Sequence, residues 1–212
     1  VETKGSFEIL YKVVGKGTRI LANRKKGEFI DVLGPLGNGF ILPNRSSFVI
    51  LLAGGIGIAP LVFLAEKLKG VKIIVLIGAK TKRLVLCEKD FKKIGAEIHI
   101  ATDDGSRGYK GFVSGLLKKF LLTPNENLRF RTGQATNDQR LTTIYACGPH
   151  PMLKSVTKIS KKWKLKCQVS VEEKMACGIG ACLGCVIKGK RFVYNLACKD
   201  GPIFDADEII WD

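Results

Sequence analysis

Four cysteines near the C-terminal end of the chain have the spacing of an iron–sulfur site. Cys177, Cys182, Cys185 and Cys198 form the pattern C-x4-C-x2-C-x12-C. The x4 and x2 intervals are those of plant-type 2Fe–2S ligation, whereas two-pair zinc sites favour a repeated C-x2-C and disulfide frameworks suit short secreted chains. Glycines among the first three cysteines let the backbone turn tightly. We therefore predict a 2Fe–2S cluster on these four thiolates, with a structural zinc knuckle as the alternative.

The remaining three cysteines are isolated in the sequence. Cys167 lies in a stretch where apolar and polar residues alternate, which places it on the buried face of a strand. Cys87 falls in Leu84–Phe91, a stretch predicted as a helix. Both are interpreted as small core hydrophobes rather than ligands. The third, Cys147, ends a predicted strand, where a packing role is a simple interpretation.

A glycine-rich turn follows the first strongly apolar strand. The run Ala53–Pro60 contains Gly54, Gly55 and Gly57, and the last two stand where a dinucleotide fingerprint has G-x-G. Glycines let the backbone approach a pyrophosphate at the start of a helix, and proline fits the first helical turn. The turn predicts a nucleotide site, although a strand-turn-helix without a ligand would contain similar residues.

Two weaker signals lie elsewhere. Gly15, Gly17 and Thr18 form a G-x-G-T run before a short helix, which could hold a phosphate through backbone amides and the hydroxyl. Asp103 and Asp104 follow another strand and could accept ribose hydroxyls, or could simply form an Asx turn before a glycine. Neither pattern is specific when taken alone.

The elements that must position these residues alternate between strand and helix. A βαβ series predicts a mostly parallel sheet covered on both faces, with its ligand at the carboxyl ends of the strands. The segment before it is predicted to contain two strands and a short helix, and 123–142 a surface loop. The predicted strands are Ser6–Val14, Glu28–Leu33, Phe48–Ala53, Val71–Ala79, Glu97–Thr102, Thr142–Cys147, Lys166–Val171 and Arg191–Leu196, and the predicted helices are Arg19–Asn23, Ala59–Lys69, Leu84–Lys93, Gly111–Leu122 and Pro149–Lys162.

Composition excludes several classes of protein. The 212 residues include 46% hydrophobic and 25% charged side chains, as in ordinary globular proteins, and the apolar runs are too short to span a bilayer. Without a signal peptide at the start of the chain, a cytoplasmic location is expected. The net charge of +16 raises the alternative of a nucleic-acid-binding module, but the basic residues are scattered over the first 169 positions without aromatic interleaving. We therefore expect no nucleic acid partner.

The chain as a whole resembles the electron-transfer subunits of two-component, NAD-linked dihydroorotate dehydrogenases, within the ferredoxin reductase-like superfamily. The resemblance implies a partial flavin-binding β-barrel in 1–45, a ferredoxin reductase-type doubly wound parallel sheet for NAD in 46–169 and a small 2Fe–2S domain in 170–212. Earlier barrel strands and an Arg-x-Tyr/Phe-Ser motif are expected upstream, and Val1 in place of Met suggests an N-terminally truncated chain. The residues that carry the resemblance are 10–18, 33–40, 53–60, 102–106, 145–149, 172–185 and 198–202.

The resemblance also implies which residues meet each cofactor. FAD would lie against Leu10, Tyr11, Lys12, Gly17 and Thr18. NAD would meet the turns formed by Gly54, Gly55 and Gly57 and by Cys147, Gly148 and Pro149, and the cluster would bind Cys177, Cys182, Cys185 and Cys198.

The function implied is electron transfer between subunits. In this family electrons from dihydroorotate pass from an FMN-containing catalytic subunit through the 2Fe–2S cluster and FAD to NAD, in pyrimidine biosynthesis, and the assembly is a heterotetramer with two copies of each subunit. No residue here stands out as a general base for dihydroorotate, which is consistent with substrate chemistry in the partner chain. Reductase subunits of the same superfamily, of the sulfide dehydrogenase or ferredoxin:NADP type, remain the closest alternative.

Overall fold

The N-terminal segment carries little regular structure. The computed structural model describes residues 2–3, 5–43, 48–123, 142–190 and 194–211. Here β1 (Glu2–Thr3) and β2 (Ser6–Phe7) form a short antiparallel hairpin, and α1 (Lys16–Ala22) follows. The predicted strands Ser6–Val14 and Glu28–Leu33 are wrong beyond β2: in the described part of this segment, 8–14 and 28–33 have no strand beside them, and a strand needs a hydrogen-bonded neighbour.

The middle of the chain follows the predicted alternation, with shifts of a few residues at the ends of elements. Helix α3 is an exception, because it begins only at Glu88, and Cys87 before it has the left-handed φ of 55°. The expected loop at 123–142 lies almost wholly outside the described residues. The elements are β3 (Phe48–Gly54), α2 (Ala59–Lys67), β4 (Lys72–Ala79), α3 (Glu88–Ile94), β5 (Glu97–Thr102), β6 (Tyr109–Lys110), α4 (Val113–Leu122), β7 (Thr142–Cys147), α5 (His150–Trp163) and β8 (Lys166–Ser170).

The C-terminal segment adds a hairpin and a last strand. Strands β9 (Val186–Lys188) and β10 (Tyr194–Leu196) pair antiparallel, and β11 (Ile203–Asp205) pairs antiparallel with β8. The cluster lobe is therefore attached to the edge of the central sheet by a shared strand. Its buried residues Cys185, Cys198 and Phe204 belong to the same hydrophobic cluster as α4 and α5.

The central sheet has the order β11-β8-β7-β3-β4-β5-β6, and every pair in it except β11–β8 is parallel. From β3 the chain proceeds outward through β4 and β5, and later returns to the other side of β3 with β7 and β8. The order reverses between β3 and β7, and ligands of open α/β sheets bind at the carboxyl ends of the strands at such a reversal. The glycine turn after β3 and the Cys147–Pro149 turn after β7 both lie at this point.

Two hydrophobic layers cover the sheet. Phe48, Ile50 and Leu52 of β3 face the layer that contains α4 and α5, whereas the alternate residues of β3 face the layer that contains α2 and α3. This two-sided burial explains why β3 is an almost continuous apolar run rather than an alternating one. In the part of the chain that the structure describes, no helix is both long and apolar enough to cross a membrane.

Candidate functional site

The four predicted cluster ligands lie on two segments of the C-terminal lobe. Cys177, Cys182 and Cys185 are on one loop before β9, and Cys198 follows β10. The hairpin brings the two segments together, because the Ala197 N–H donates to the Cys185 carbonyl at 3.0 Å. Cys185 and Cys198 are buried, whereas Cys182 is exposed.

The thiols approach each other in two pairs. The Cys182 side chain contributes to lowering the pKa of the Cys177 thiol and the Cys185 side chain to raising that of Cys198, so the members of each pair are close enough to interact, and Cys198 also interacts electrostatically with Cys177. Within the described residues, no group of three or more His, Cys, Asp or Glu side chains converges on a point that could hold a single metal ion. A 2Fe–2S cluster has two irons and four thiolate ligands, so a pair of thiols for each iron fits this donor set.

Backbone amides turn toward the sulfurs of the loop. The Cys182 N–H donates to Cys177 Sγ at 3.4 Å, and the Gly184 N–H donates to Cys182 Sγ at 3.4 Å. The amides of Cys182 and Ile179 lower the pKa of the Cys177 thiol to about 6. In contrast, the hydrogen bond with Cys185, together with burial, raises the pKa of Cys198. Amides of this kind stabilise negative charge on a ligand sulfur and help to tune a bound metal group.

The backbone of the loop requires glycine at two positions. Gly178 and Gly180 have φ values of 74° and 82°, and a Cβ on Gly178 would come within 2.8 Å of Leu36 Cδ1. Leu183 also has a positive φ of 57°, which is uncommon for a branched side chain. Its side chain and those of Met175 and Ile179 point outward and are 62%, 53% and 60% exposed. The loop thus carries an apolar rim of three exposed side chains, while its cysteines range from the buried Cys185 to the exposed Cys182.

The two predicted nucleotide turns are in direct contact. A Cβ on Gly57 would collide with the Cys147 carbonyl, and one on Gly54 would come within 2.8 Å of Pro149 Cδ. Gly148 would likewise meet the Gly54 N at 2.9 Å if it carried a Cβ. Gly55 is different, since its φ is 56° and nothing lies within 4 Å of its missing Cβ. The cradle is therefore closed on the protein side and open on the other, which fits the approach of a dinucleotide.

The Cys147 thiol sits at the edge of this cradle. It is hydrogen-bonded to Ser170, the residue opposite it in the β7–β8 register. Burial raises the pKa of Cys147, and the nearby Glu172 carboxylate raises it further. The Ser170 hydrogen bond acts in the opposite direction but does not outweigh burial. The thiol is thus held in its neutral form. Ser170 was not singled out from the sequence, where only its position at the end of a strand marks it.

Asp104 forms an Asx turn. Its Oδ1 accepts hydrogen bonds from the Ser106 N–H at 2.9 Å and the Ser106 hydroxyl at 2.6 Å, and these bonds lower the pKa of Asp104. The Lys82 N–H in turn donates to the Ser106 hydroxyl at 2.8 Å. The predicted Asx turn is thus formed at Asp104, and acceptance of a ribose hydroxyl stays a prediction. Asp103 is exposed beside it.

The predicted flavin residues lie around the start of α1. Leu10 and Lys12 are exposed, Tyr11 is partly buried, and Gly17 is exposed in the first turn of the helix. The Thr18 hydroxyl accepts hydrogen bonds from the Val14 and Gly15 N–H groups at 3.0 and 3.2 Å. It therefore holds the turn that precedes the helix. The five residues lie within nine positions of the chain, on the segment that leads into α1, and their contact with FAD stays a prediction.

Comparison with known proteins gives consistent matches. The family model described as the iron-sulfur cluster binding domain of dihydroorotate dehydrogenase B matches residues 172–210. A curated protein of Desulforamulus reducens, "Dihydroorotate dehydrogenase B (NAD(+)), electron transfer subunit", is 40% identical over 215 residues, which cover 99% of this chain and 76% of the relative. A protein of the same name from Caldanaerobacter subterraneus is 41% identical, over 96% of this chain and 75% of that protein.

A solved structure shares the fold. The structure of an NADH-dependent reduced ferredoxin-NADP oxidoreductase, reported for its insights into flavin-based electron bifurcation, matches with a TM-score of 0.77 and 34% identity. The match covers 95% of this chain and 67% of that one.

Proposed function

Because this chain belongs to the family of electron transfer subunits of dihydroorotate dehydrogenase B, the NAD(+)-linked form, we propose that it joins that enzyme's catalytic subunit to NAD through a 2Fe–2S cluster and FAD. The chain is an oxidoreductase subunit with a ferredoxin reductase-like fold. The observation that supports the proposal is the C-x4-C-x2-C-x12-C spacing of four cysteines within the segment matched by the family model, where the Ala197–Cys185 hydrogen bond brings the segment of the last cysteine beside the loop of the other three.

The three groups divide the chemistry among them: NAD exchanges two electrons as a hydride, the cluster exchanges one at a time, and a flavin can do both. The chain's own residues hold these groups in place. Cys177 and Cys182 would bind one iron and Cys185 and Cys198 the other, while the Cys182 and Gly184 amides stabilise charge on the sulfurs.

NAD would bind at the reversal of the strand order. Gly54 and Gly57 let the two turns pack closely, and Gly55, which faces open space, leaves room for the pyrophosphate to approach the backbone. Cys147, Gly148 and Pro149 form the opposite wall, where the neutral Cys147 thiol can contact the nicotinamide ring without placing a negative charge beside it. FAD would lie against Leu10, Tyr11, Lys12, Gly17 and Thr18, as the family resemblance implies.

The partner would dock on the apolar rim of the cluster loop. Met175, Ile179 and Leu183 are exposed there, a few residues from the ligands, and electron transfer between subunits needs the donor and acceptor groups close together. We propose that the partner is the FMN-containing catalytic subunit, that two copies of each chain form a heterotetramer, and that the assembly is cytoplasmic. The same proposal assigns residues 1–45 to FAD, residues 46–169 to NAD and residues 170–212 to the 2Fe–2S cluster.

Cys182→Ser tests the ligand assignment. Serine keeps the size of the side chain but removes the thiolate, so we expect the variant to lose the cluster's visible absorption and most of its iron per chain. Iron, acid-labile sulfide and flavin should be measured on the chain purified together with its catalytic partner. Cys87→Ser is the matched control, because Cys87 is a half-buried cysteine remote from the cluster loop, and it should keep the full iron content. Retention of full iron by Cys182→Ser would refute the assignment.

A second candidate function follows from the structural match at 34% identity to a ferredoxin-NADP oxidoreductase. A subunit of that type would share the fold and cofactors but would serve another partner. Purification with the partner separates the two candidates. Dihydroorotate-dependent NADH formation by the complex supports the first, whereas exchange of electrons with ferredoxin in the absence of dihydroorotate supports the second.

A further inference from the structure

The segment 34–42 touches the cluster lobe through one polar side chain. Asn38 Nδ2 donates hydrogen bonds to the carbonyls of Lys199 and Asp200, at 3.2 and 3.0 Å. The Asn38 N–H also donates to the Gly201 carbonyl, and the residue forms a parallel bridge with Pro202. Asn38 therefore holds, by three donors, the residues that follow Cys198 directly in the chain.

The held residues form a stiff turn that carries Cys198. The Asp200 carboxylate accepts a hydrogen bond from the Leu196 N–H at 2.7 Å, and the Leu196 carbonyl accepts bonds from the N–H groups of Lys199, Asp200 and Gly201. Because the turn is bonded internally, a force applied at Lys199 and Asp200 is transmitted to the Cys198 sulfur. We call residues 196–201 the Cys198 arm.

The same segment also touches the other ligand loop. Leu36, two residues before Asn38, lies against Gly178, which is next to Cys177, so closely that a Cβ on Gly178 would be 2.8 Å from Leu36 Cδ1. Residues 36 and 38 thus contact both parts of the ligand set. The Ala197–Cys185 hydrogen bond joins the two parts from within the C-terminal lobe, and residues 36 and 38 add a support from outside it.

The far end of the segment is anchored to the central sheet. Gln168 of β8 makes two hydrogen bonds with the Ile41 backbone. Gln168 Nε2 donates to the Ile41 carbonyl, and the Ile41 N–H donates to Gln168 Oε1, both at 2.9 Å. The Tyr145 hydroxyl donates to the same carbonyl at 2.9 Å. Phe40 packs edge-on against the Tyr145 ring. Ile41 is thus held by two residues independently, so that its position does not depend on Gln168 alone.

We propose that Asn38 is a positioning residue for the iron–sulfur cluster, which holds the Cys198 arm in register with the loop that carries Cys177, Cys182 and Cys185. The inference rests on the proposed function, since it presupposes that the four cysteines hold the cluster. It assigns to Asn38 no contact with the cluster itself. Without its bonds, the arm moves relative to the loop, and the cluster is both released more easily and held in a different geometry.

Asn38→Ala and Asn38→Asp test this role. The first removes the two side-chain donors and keeps the backbone N–H that donates to the Gly201 carbonyl, and the second keeps the size of the side chain but turns a carboxylate toward two carbonyl oxygens. Loss of net hydrogen bonds worth about 1.4 kcal/mol corresponds to roughly tenfold in an equilibrium constant, so we expect about tenfold faster iron release to a chelator. We also expect a changed visible circular dichroism spectrum and a shifted cluster reduction potential, which a loss of fold stability alone would not produce.

Gln168→Ala is the matched control, because it removes two side-chain hydrogen bonds from the same segment but none from the Cys198 arm, and Tyr145 still holds Ile41. The experiment uses the complex with the catalytic subunit, and thermal unfolding shows that each variant is folded. Release from Gln168→Ala should match the unaltered chain within about twofold. The inference alone is overturned if the Asn38 variants release iron at the rate of the unaltered chain and have its spectrum. It is also overturned if Gln168→Ala releases iron as fast as Asn38 variants that have lost the cluster's normal retention. An unaltered chain that takes up no iron overturns the proposed function as well.

Discussion

Gly57 shows how a single missing side chain determines the shape of the nucleotide site. Its position against the Cys147 carbonyl lets the turn after β3 pack directly on the turn after β7. Any side chain at this position would push the two turns apart. The fingerprint glycine thus acts through close packing within the protein, whereas Gly55 beside it leaves space for a ligand.

We expect Gly57→Ala to lower the free energy of unfolding by about 2 kcal/mol, since overpacking against backbone cannot be relieved by a rotamer change. NADH binding should weaken by roughly tenfold as the cradle widens. Urea unfolding and a fluorescence titration with NADH measure the two effects. Gly39→Ala is the control, because nothing lies within 4 Å of its missing Cβ, and it should change neither quantity. Unchanged NADH affinity in Gly57→Ala would contradict this account of the cradle.

At the scale of elements, β11 joins the cluster lobe to the central sheet. Its antiparallel pairing with β8 places Phe204 in the shared hydrophobic cluster, where the side chain is 8% exposed and the ring fills the space beside Gly201. The strand begins only a few residues after Cys198. Detaching β11 should therefore loosen the last ligand as well as the edge of the sheet.

Phe204→Ala tests this connection. Removing a buried phenyl ring should lower the free energy of unfolding by about 3 kcal/mol and increase the rate of iron release. Denaturant unfolding and chelator kinetics provide the measurements. Phe29→Ala, which truncates a ring that is 96% exposed, should leave both within error. If Phe204→Ala destabilised the fold but released iron at the rate of the unaltered chain, β11 would stabilise the sheet without supporting the cluster.

The net positive charge of the molecule lies in its first 169 residues, whereas the C-terminal segment with the four cysteines is slightly acidic. The first 169 residues carry 30 basic and 12 acidic side chains, whereas the last 43 carry 5 and 7. The rim around the cluster is apolar instead, with Met175, Ile179 and Leu183 exposed. Electrostatic attraction can guide the encounter with a partner protein. Holding the two redox groups at a constant distance requires a packed interface, and the exposed apolar side chains of the rim are suited to form one.

Ile179→Ser is expected to weaken binding of the catalytic subunit by about thirtyfold, because a buried isoleucine contributes on the order of 2 kcal/mol to an interface. The backbone N–H of residue 179, which contacts Cys177, is kept, so the cluster spectrum should not change. Titration calorimetry with the catalytic subunit measures the affinity. Leu84→Ser alters an equally exposed side chain in another part of the chain and should bind normally. Normal binding by Ile179→Ser would place the docking surface elsewhere.

The chemistry of the cysteine motif and the alternation of the sheet could be predicted from the sequence, because both depend on local spacing. Ligand intervals of x4 and x2 are properties of one loop, and the buried runs of β3, β4 and β7 are apolar on both faces wherever they lie. The bounds of β5 and β7 were predicted to the residue for the same reason. The N-terminal strands were not, since a strand exists only with a neighbour, which its own residues do not specify.

Only the tertiary structure decided how distant segments meet. Nothing in the spacing of residues places Asn38 on the arm of Cys198, 160 positions away, or puts β11 beside β8. The thiol of Cys147 and the hydroxyl of Ser170 became partners through the register of two parallel strands. Local sequence determines which groups can carry chemistry, whereas their mutual distances depend on packing between segments far apart in the chain, and these are set by the sum of many weak contacts.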